Sequence, residues 1–501
     1  MSYLGLDVGT TRCKACVFDD KGRVLSSAAR EYGFSNPFPG WAEQDSEMVW
    51  SLVKEIVREA VFHATQEPRA LAISAQGEAV IFVDSKGKIL RPTILGMDMR
   101  AVEECEILSR QFGAEELLHL SGVPLHPITS LSKIFWVKRH QPEIFKLTEK
   151  FLLYEDFIFW KLGGLPVTDY SMACKTMLFD IDTQEWSGHL LDFLEITPEQ
   201  LAVCCPSGTV IGTVRKPVAD ELGLPPDLKL VMGGHDQCCA PLGAGSIQEG
   251  VASDNMGTAE IFSVPVDDHS VAQKIEPHNF SCYSHVLPHK YLLATLNQTG
   301  GLLLRWYRDQ FGQEAWEEET KTGRNSYEIL LSQARREPAH MFGLPHWVGS
   351  GTPYIDAFSK GAIVGMTLHT DKGEIIRAIC EAVVFEQLIS IELFEKQGIH
   401  FHEIRAVGGC SRSSFWLQIR ADILGKPVKN LDYEDGSVMG AAMLAAVGDG
   451  AYSSFRQATE GMIRVKSTCD PDLVRYDFYR ERFAIYRDIY FALKDVNRRI
   501  K

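Results

Sequence analysis

Apolar residues at every second position, broken by Gly, Asp and Pro, predict strands over residues 2–8, 13–18, 24–32, 70–75 and 79–83. Apolar residues three and four apart predict a helix over 46–65, opened by Asp45 and Ser46. A further helical run over 130–140 carries Leu131, Ile134, Phe135 and Val137 on one side. The first third thus alternates strand and helix, the pattern of an α/β domain. A second series starts near Lys229, where an apolar strand over 230–232 runs into Gly233-Gly234-His235-Asp236. Strands over 250–255 and 259–264 flank Gly257-Thr258, and 374–395 reads as a long, largely buried helix. A strand over 404–407 enters Gly408-Gly409-Cys410-Ser411-Arg412, and the small residues of 436–446 suit a helix packed closely on a neighbour. Tyr476, Tyr479, Phe483, Tyr486 and Tyr490 form an aromatic stripe for docking the terminal helix onto the second half.

The opening hairpin delivers Asp7 to the mouth of a tight turn made by Gly9, Thr10 and Thr11, whose N–H groups and hydroxyls suit the grip of a terminal phosphate. It is not a Walker loop, since no G-x-x-x-x-G-K-[ST] occurs. The strands around Gly257-Thr258 repeat the arrangement, strand, Gly-Thr turn with a neighbouring carboxylate, strand. An internal duplication follows, with domains over 1–245 and 246–501 facing each other across a cleft. Taken alone, either hairpin also reads as an ordinary glycine turn.

A chain of 501 residues exceeds what one hydrophobic core organises, which agrees with two domains. The formal charge of −15 argues against nucleic acid as a partner, because phosphate backbones are bound by clustered Lys and Arg. The N-terminus shows no secretory pattern and no apolar run reaches membrane-spanning length, so the expected compartment is the cytoplasm, with the 12 cysteines reduced. Cys13 and Cys16 have redox-motif spacing but fall on opposite faces of a strand. His278, Cys282, His285 and His289 invite a zinc reading, yet a strand, turn, strand segment scatters them over both faces.

The stretches LDVGTT, SLSKIFWVK, GGHDQ, DNMGTAE, KGAIVGMTLHTDKGEIIRAICEAVVFE and GGCSRS, in this order and spanning nearly the whole chain, resemble the FGGY family of carbohydrate kinases. The resemblance implies two actin-like (ribonuclease H-like) α/β domains that close on their substrates. It also implies phosphorylation of a sugar or polyol hydroxyl with ATP and Mg²⁺ as cofactors, and homodimers are common in the family. Asp236 then becomes the general base, where pattern alone offers a helix cap. Asp7 serves the metal, while Thr10, Thr11, Gly257 and Thr258 grip the phosphates. Arg12 adds charge to the transferring group; Lys14 does so instead or is simply solvated. Gly408, Gly409, Ser411 and Arg412 resemble the adenosine motif, and Gly300 and Gly301 another stretch near the nucleotide. For the sugar the resemblance points to Gln76, Gly77, Glu78, Asp98, Arg100 and Gln237 beside Asp236. Asp156, Asp169 and Tyr170 fall in family stretches that read as structural.

Two departures bear on the acceptor. Xylulose kinases commonly carry Gly and Asn around the catalytic Asp, whereas this chain has His235 and Gln237; the Asp-Gln pair is shared with glycerol kinases, and His before Asp with deoxyketose kinases. Gln76-Gly77-Glu78 resembles the glycerol kinase loop with its Arg replaced by Gly, which should leave space for a larger acceptor. A short ketose such as a pentulose is the expected substrate. A polyol such as glycerol is the alternative, and a non-catalytic ATP-binding scaffold is the alternative from another class.

Overall fold

The structure, a computed structural model, describes residues 1–500. Strand β1 (Ser2–Val8) is buried on both faces and is correspondingly central, in a six-stranded sheet with β2 (Arg12–Asp19), β3 (Val24–Glu31), β4 (Pro68–Ala75), β5 (Val210–Thr213) and β6 (Lys229–His235) in the order β5-β6-β4-β1-β2-β3. The meander β1-β2-β3 is antiparallel, β4 and β6 run parallel to β1, and β5 closes the edge antiparallel. One face, with Leu4, Leu6, Val8, Leu71 and Ile73, packs on helix α1 (Ser46–His63). Asp45 caps that helix through Glu47 and Met48 N–H, as the sequence predicts.

The second main sheet has seven strands: β7 (Gly250–Met256), β8 (Glu260–Val266), β9 (Ser281–Ser284), β10 (Tyr291–Ala294), β11 (Phe401–Val407), β12 (Val428–Leu431) and β13 (Val465–Cys469), in the order β9-β10-β8-β7-β11-β12-β13. Its topology repeats the first, with an antiparallel meander β7-β8-β10, parallel β11 and β12, and antiparallel β13 at the edge. The duplication read from two short hairpins therefore extends through both sheets. Each sheet ends its first hairpin in a Gly-Thr turn.

Helix α2 (Asp236–Ala244) follows β6, and helices α3 (Lys372–Lys396), α4 (Ser414–Leu424), α5 (Gly436–Gly448) and α6 (Leu473–Arg499) belong to the second half of the chain. The aromatic stripe of α6 docks as expected. Tyr479 and Tyr486 donate to Glu381 and Glu386 of α3 over 2.6 and 2.7 Å.

Helix α5 does something the pattern only hints at. Its residues from Val438 to Ala446 join the core of the first sheet, opposite α1, so a division at residue 245 is not a clean cut between cores. On that sheet face Tyr3, Gly5 and Asp7 look toward α5, which crosses α2 at backbone contact. A Cβ on Gly440 would lie 2.0 Å from the Cys239 carbonyl oxygen, and one on Gly243 would lie 2.0 Å from that of Gly436. Only glycine fits at either point.

Cys13 and Cys16 belong to cores on opposite sheet faces, and burial pushes their thiols up to about 11 and about 12. Among the described residues no three His, Cys, Asp or Glu side chains converge to hold a metal alone, and Cys282 and His285 are buried in the second meander. Among the described residues no helix is long and apolar enough to cross a membrane.

The crossing makes a testable demand. Gly440→Ala should cost about 3 kcal/mol through overpacking against backbone that cannot retreat, read as a lower urea midpoint. Gly188→Ala, at a site with nothing within 4 Å, should leave the midpoint unchanged.

Candidate active site

The β1–β2 turn closes with Gly9 N–H donating to Arg12 O over 2.9 Å. Its carbonyls are then taken one by one. Gly9 O accepts from Tyr32 Oη at 2.6 Å and Gln76 Nε2 at 3.1 Å, Thr10 O from Gln44 Nε2 at 2.9 Å, and Thr11 O from Tyr32 N at 2.8 Å. The N–H groups of Thr10 and Thr11 donate to no protein atom among the described residues, so the turn presents donors only. Thr11 and Arg12 are exposed, and Arg12 has no carboxylate partner among the described residues. Gln76, expected at the sugar, is instead a strap on this turn: it is buried, and its oxygen takes the Thr10 hydroxyl at 3.2 Å.

The second turn is built alike. Gly257 O and Thr258 O accept from the N–H groups of Gly301 and Leu302 at 2.8 and 3.1 Å, leaving Thr258 exposed with its own N–H unused among the described residues. Two donor-only turns, one from each sheet, are a natural clamp for a polyphosphate.

Between them stand carboxylates. Asp7 ends β1 and accepts from Ser74 Oγ at 2.7 Å; Asp236 opens α2; Asp435 precedes α5. Burial, then Asp435 and Asp236, hold the Asp7 carboxyl well above the usual carboxylate range. Burial, then Glu78, push Asp236 up to about 7, although a quarter of its side chain still meets the cleft. The chemistry of this oxygen-donor set beside a phosphate clamp fits a hydrated Mg²⁺ taken through one or two carboxylates and the phosphates, and Asp7 is a residue that could hold it. Both helices also direct their N-terminal ends here, where partial positive charge favours anions. Lys14 is not simply solvated: it pairs with Asp435 at 2.9 Å beside the Tyr433 ring and ties the first sheet to α5.

The wall beyond Asp236 is formed by Gly77, Glu78, Lys175 and His235. Strand β6 continues three residues past the predicted end, because a bulge between Val231 and Gly234 keeps it paired with β4 as far as His235. The His235 N–H donates to Ser171 Oγ at 2.9 Å, and Asp169 caps that segment, so Asp169 is structural. The space expected from the missing Arg at Gly77 is filled by His235, whose ring lies 2.7 Å from where a Gly77 Cβ would stand. Glu78 has φ 62, a left-handed conformation unfavourable for a side chain. Lys133 Nζ and Ser130 Oγ hold its carbonyl at 3.0 and 3.1 Å, and Lys175 pairs with its carboxylate at 2.7 Å. Burial alone would raise the Glu78 carboxyl, but Lys175 and its neighbours bring it below the usual range.

Asp98 and Arg100 lie behind this wall, not on it. Both side chains are fully buried, paired at 2.7 Å, with Arg100 over the Trp41 ring and Asp98 accepting from Ala42 N at 2.6 Å, so they present no surface to a sugar. Gln237 faces the other sheet, where its oxygen accepts from Asn255 Nδ2 at 3.2 Å.

At the far end Gly300, Gly301, Gly408 and Gly409 converge beside Gly257. Gly408 has φ 88, and nothing lies within 4 Å of a Cβ on Gly409, which leaves an open shelf for a flat group. Ser411 is buried and bonds back to Gly408 O at 2.7 Å, so it shapes the turn; Arg412 pairs with Glu434 at the rim. Asp435, Lys175 and Asn255 were not singled out from sequence. The acidic start of a small-residue helix was the only signal for Asp435.

Two duplicated sheets that close paired donor turns around a common carboxylate set define a two-domain kinase cleft. Residues 2–243 match the N-terminal domain and residues 254–448 the C-terminal domain of the FGGY family of carbohydrate kinases. The chain belongs to that family. It is similar to a xylulose kinase of Bacillus subtilis, 29% identical with 100% of this chain and 99% of that protein covered. Solved structures of a xylulose kinase and a gluconate kinase from Lactobacillus acidophilus superpose with TM-scores of 0.90 and 0.89, each at 26% identity and 98% coverage of both chains.

Because the fully buried Lys133 holds two part-buried carbonyls, Glu78 O and Ile128 O, Lys133→Met should destabilise the protein by about 1–3 kcal/mol. A lower thermal midpoint with the helix content of the folded state retained is the expected reading.

Proposed function

We propose that this carbohydrate kinase transfers the γ-phosphoryl group of MgATP to a hydroxyl of a pentulose, with xylulose the first candidate. The observation that carries it is Asp236, a carboxylate of raised proton affinity at the cleft, facing the charged mouth of the phosphate turn. A sugar hydroxyl hydrogen-bonded to Asp236 gives up its proton to that carboxylate as its oxygen attacks the γ-phosphorus, and the bond to the β-phosphate oxygen breaks to release ADP. The unused N–H groups of Thr10, Thr11 and Thr258 and the Arg12 guanidinium support the transferring charge. Bound Mg²⁺, with Asp7 as its protein ligand, would supply further neutralisation of the phosphates. The nucleoside lies on the glycine shelf at Gly301, Gly408 and Gly409.

Gluconate fits this cleft poorly, although gluconate kinases are among the similar proteins. Its carboxylate would enter beside Asp7, Asp236, Asp435 and Glu78, and the one cation on the wall, Lys175, is already paired with Glu78. A neutral ketose meets no such repulsion. Glycerol would leave the donors and acceptors of the wall partly unused.

ADP release over a panel of pentuloses, glycerol and gluconate tests the reading. Xylulose should stimulate turnover far above the sugar-free rate, and Asp236→Asn should lower kcat by roughly a thousandfold; stimulation by gluconate alone would overturn the substrate assignment. Since Asp236 must be ionised to act and burial pushes its carboxyl up to about 7 in the free protein, kcat/KM should fall as pH drops through 7 and level off above it. Chelation of Mg²⁺ should abolish turnover, and Asp7→Asn should raise the Mg²⁺ concentration for half-maximal rate roughly tenfold or more.

A further inference from the structure

Lys133 occupies a place where an apolar side chain would be expected. It is fully buried near the start of the helix Ser130–His140, and among the described residues no carboxylate pairs with it. Its ammonium donates to backbone oxygens alone, Glu78 O at 3.0 Å and Ile128 O at 2.6 Å. Burial pushes that ammonium down to about 7, so its charge opposes folding here, and a leucine or methionine would fill the volume without desolvating a cation.

What the ammonium holds explains its presence. Glu78 has φ 62, a left-handed backbone that a side chain disfavours, and such a conformation persists only where its surroundings impose it. Here one helix start imposes it. Lys133 Nζ and Ser130 Oγ both donate to Glu78 O, the second at 3.1 Å, and Leu131 N donates to Thr176 O at 2.8 Å, next to Lys175. The two residues that place opposite charges on the wall beside Asp236 are therefore both hung from residues 130–133. Ser130 is as deeply buried as Lys133, so neither meets the cleft. The strap at Gln76 has its own bonds, to Val8 O, Gly9 O and the Thr10 hydroxyl, so the phosphate turn does not depend on how residue 78 is held.

We propose that Lys133, together with Ser130, is the positioning residue of the acceptor wall: by fixing the Glu78 carbonyl it keeps that residue in the left-handed turn that presents its carboxylate to the sugar. The proposal rests on the reading of this cleft as a pentulose site, and it assigns Lys133 no contact with sugar or nucleotide. Without its two donors, residue 78 relaxes to ordinary backbone angles and carries its carboxylate off the wall.

Steady-state kinetics of the full chain, with xylulose and MgATP varied separately below the thermal midpoint of each variant, test it. Lys133→Met should raise the KM for xylulose roughly tenfold, the equivalent of about one hydrogen bond to a charged group. The KM for MgATP and the sugar-free rate of ATP hydrolysis should stay within about twofold of the unsubstituted protein. Ser130→Ala, which removes one of the two donors to Glu78 O, should raise the KM for xylulose about threefold. Glu78→Gly should raise it at least as far as Lys133→Met does, and the double variant Glu78→Gly/Lys133→Met should lie within about twofold of Glu78→Gly. A lysine that only stabilised the fold would lower the midpoint and leave the KM for xylulose unchanged, which would overturn the proposal, as would an equal rise in the KM for MgATP or additive effects in the double variant. Should Lys133→Met fail to fold, Ser130→Ala and Glu78→Gly/Ser130→Ala decide by the same comparison. An unchanged KM for xylulose in Glu78→Gly would defeat the proposal alone; an unsubstituted protein without xylulose-dependent turnover would defeat the pentulose reading and the proposal with it, a result visible before any variant is compared.

Discussion

The contact on which the rest depends is the crossing of α2 and α5, where a helix from the middle of the chain and one from its last quarter touch backbone to backbone. Glycines at 243, 436 and 440 let the axes approach so closely that the helix starts lie together at the end of β1. Asp236 opens one helix and Asp435 precedes the other, so the crossing fixes the separation of both carboxylates from Asp7. A wider crossing would spread the carboxylates and loosen the Lys14–Asp435 tie between sheet and helix.

Bringing like charges together in a half-buried cleft opposes folding, and the structure meets that opposition in several ways. Ser74 donates to Asp7, Lys14 to Asp435, and Lys175 to Glu78. Asp7 and Asp236 have no paired cationic side chain among the described residues, and Asp236 is the one whose carboxyl is pushed up to about 7, a proton affinity suited to exchange near neutrality. The donor-only turns and helix N-termini add positive potential without adding a charged side chain that would neutralise the base.

Strand and helix positions were legible because alternation and three-four spacing survive in a fold whose sheets are covered on both faces. The donor turns were legible from Gly-Thr beside a carboxylate, and the duplication from their recurrence. What could not be seen was pairing at a distance. Residue type alone marks Asp98 and Arg100 as polar and available, yet they neutralise each other under Trp41; Gln76 has the chemistry of a sugar ligand but spends it on Gly9 and Thr10. The room predicted at Gly77 was real, but its occupant comes from another strand. Lys14 needed Asp435, some four hundred residues away, to be understood.

The seating of α5 on the first sheet also bears on how the chain comes to be folded. The sheet that starts at Ser2 is covered on one face by a helix that ends at Gly448, so during synthesis that face waits, apolar and unroofed, until most of the polypeptide has left the ribosome. The two halves cannot be finished in sequence. Both the cover of the first core and the complete acidic cleft need the segment around residues 435–448, and a chain cut short before it would lack both.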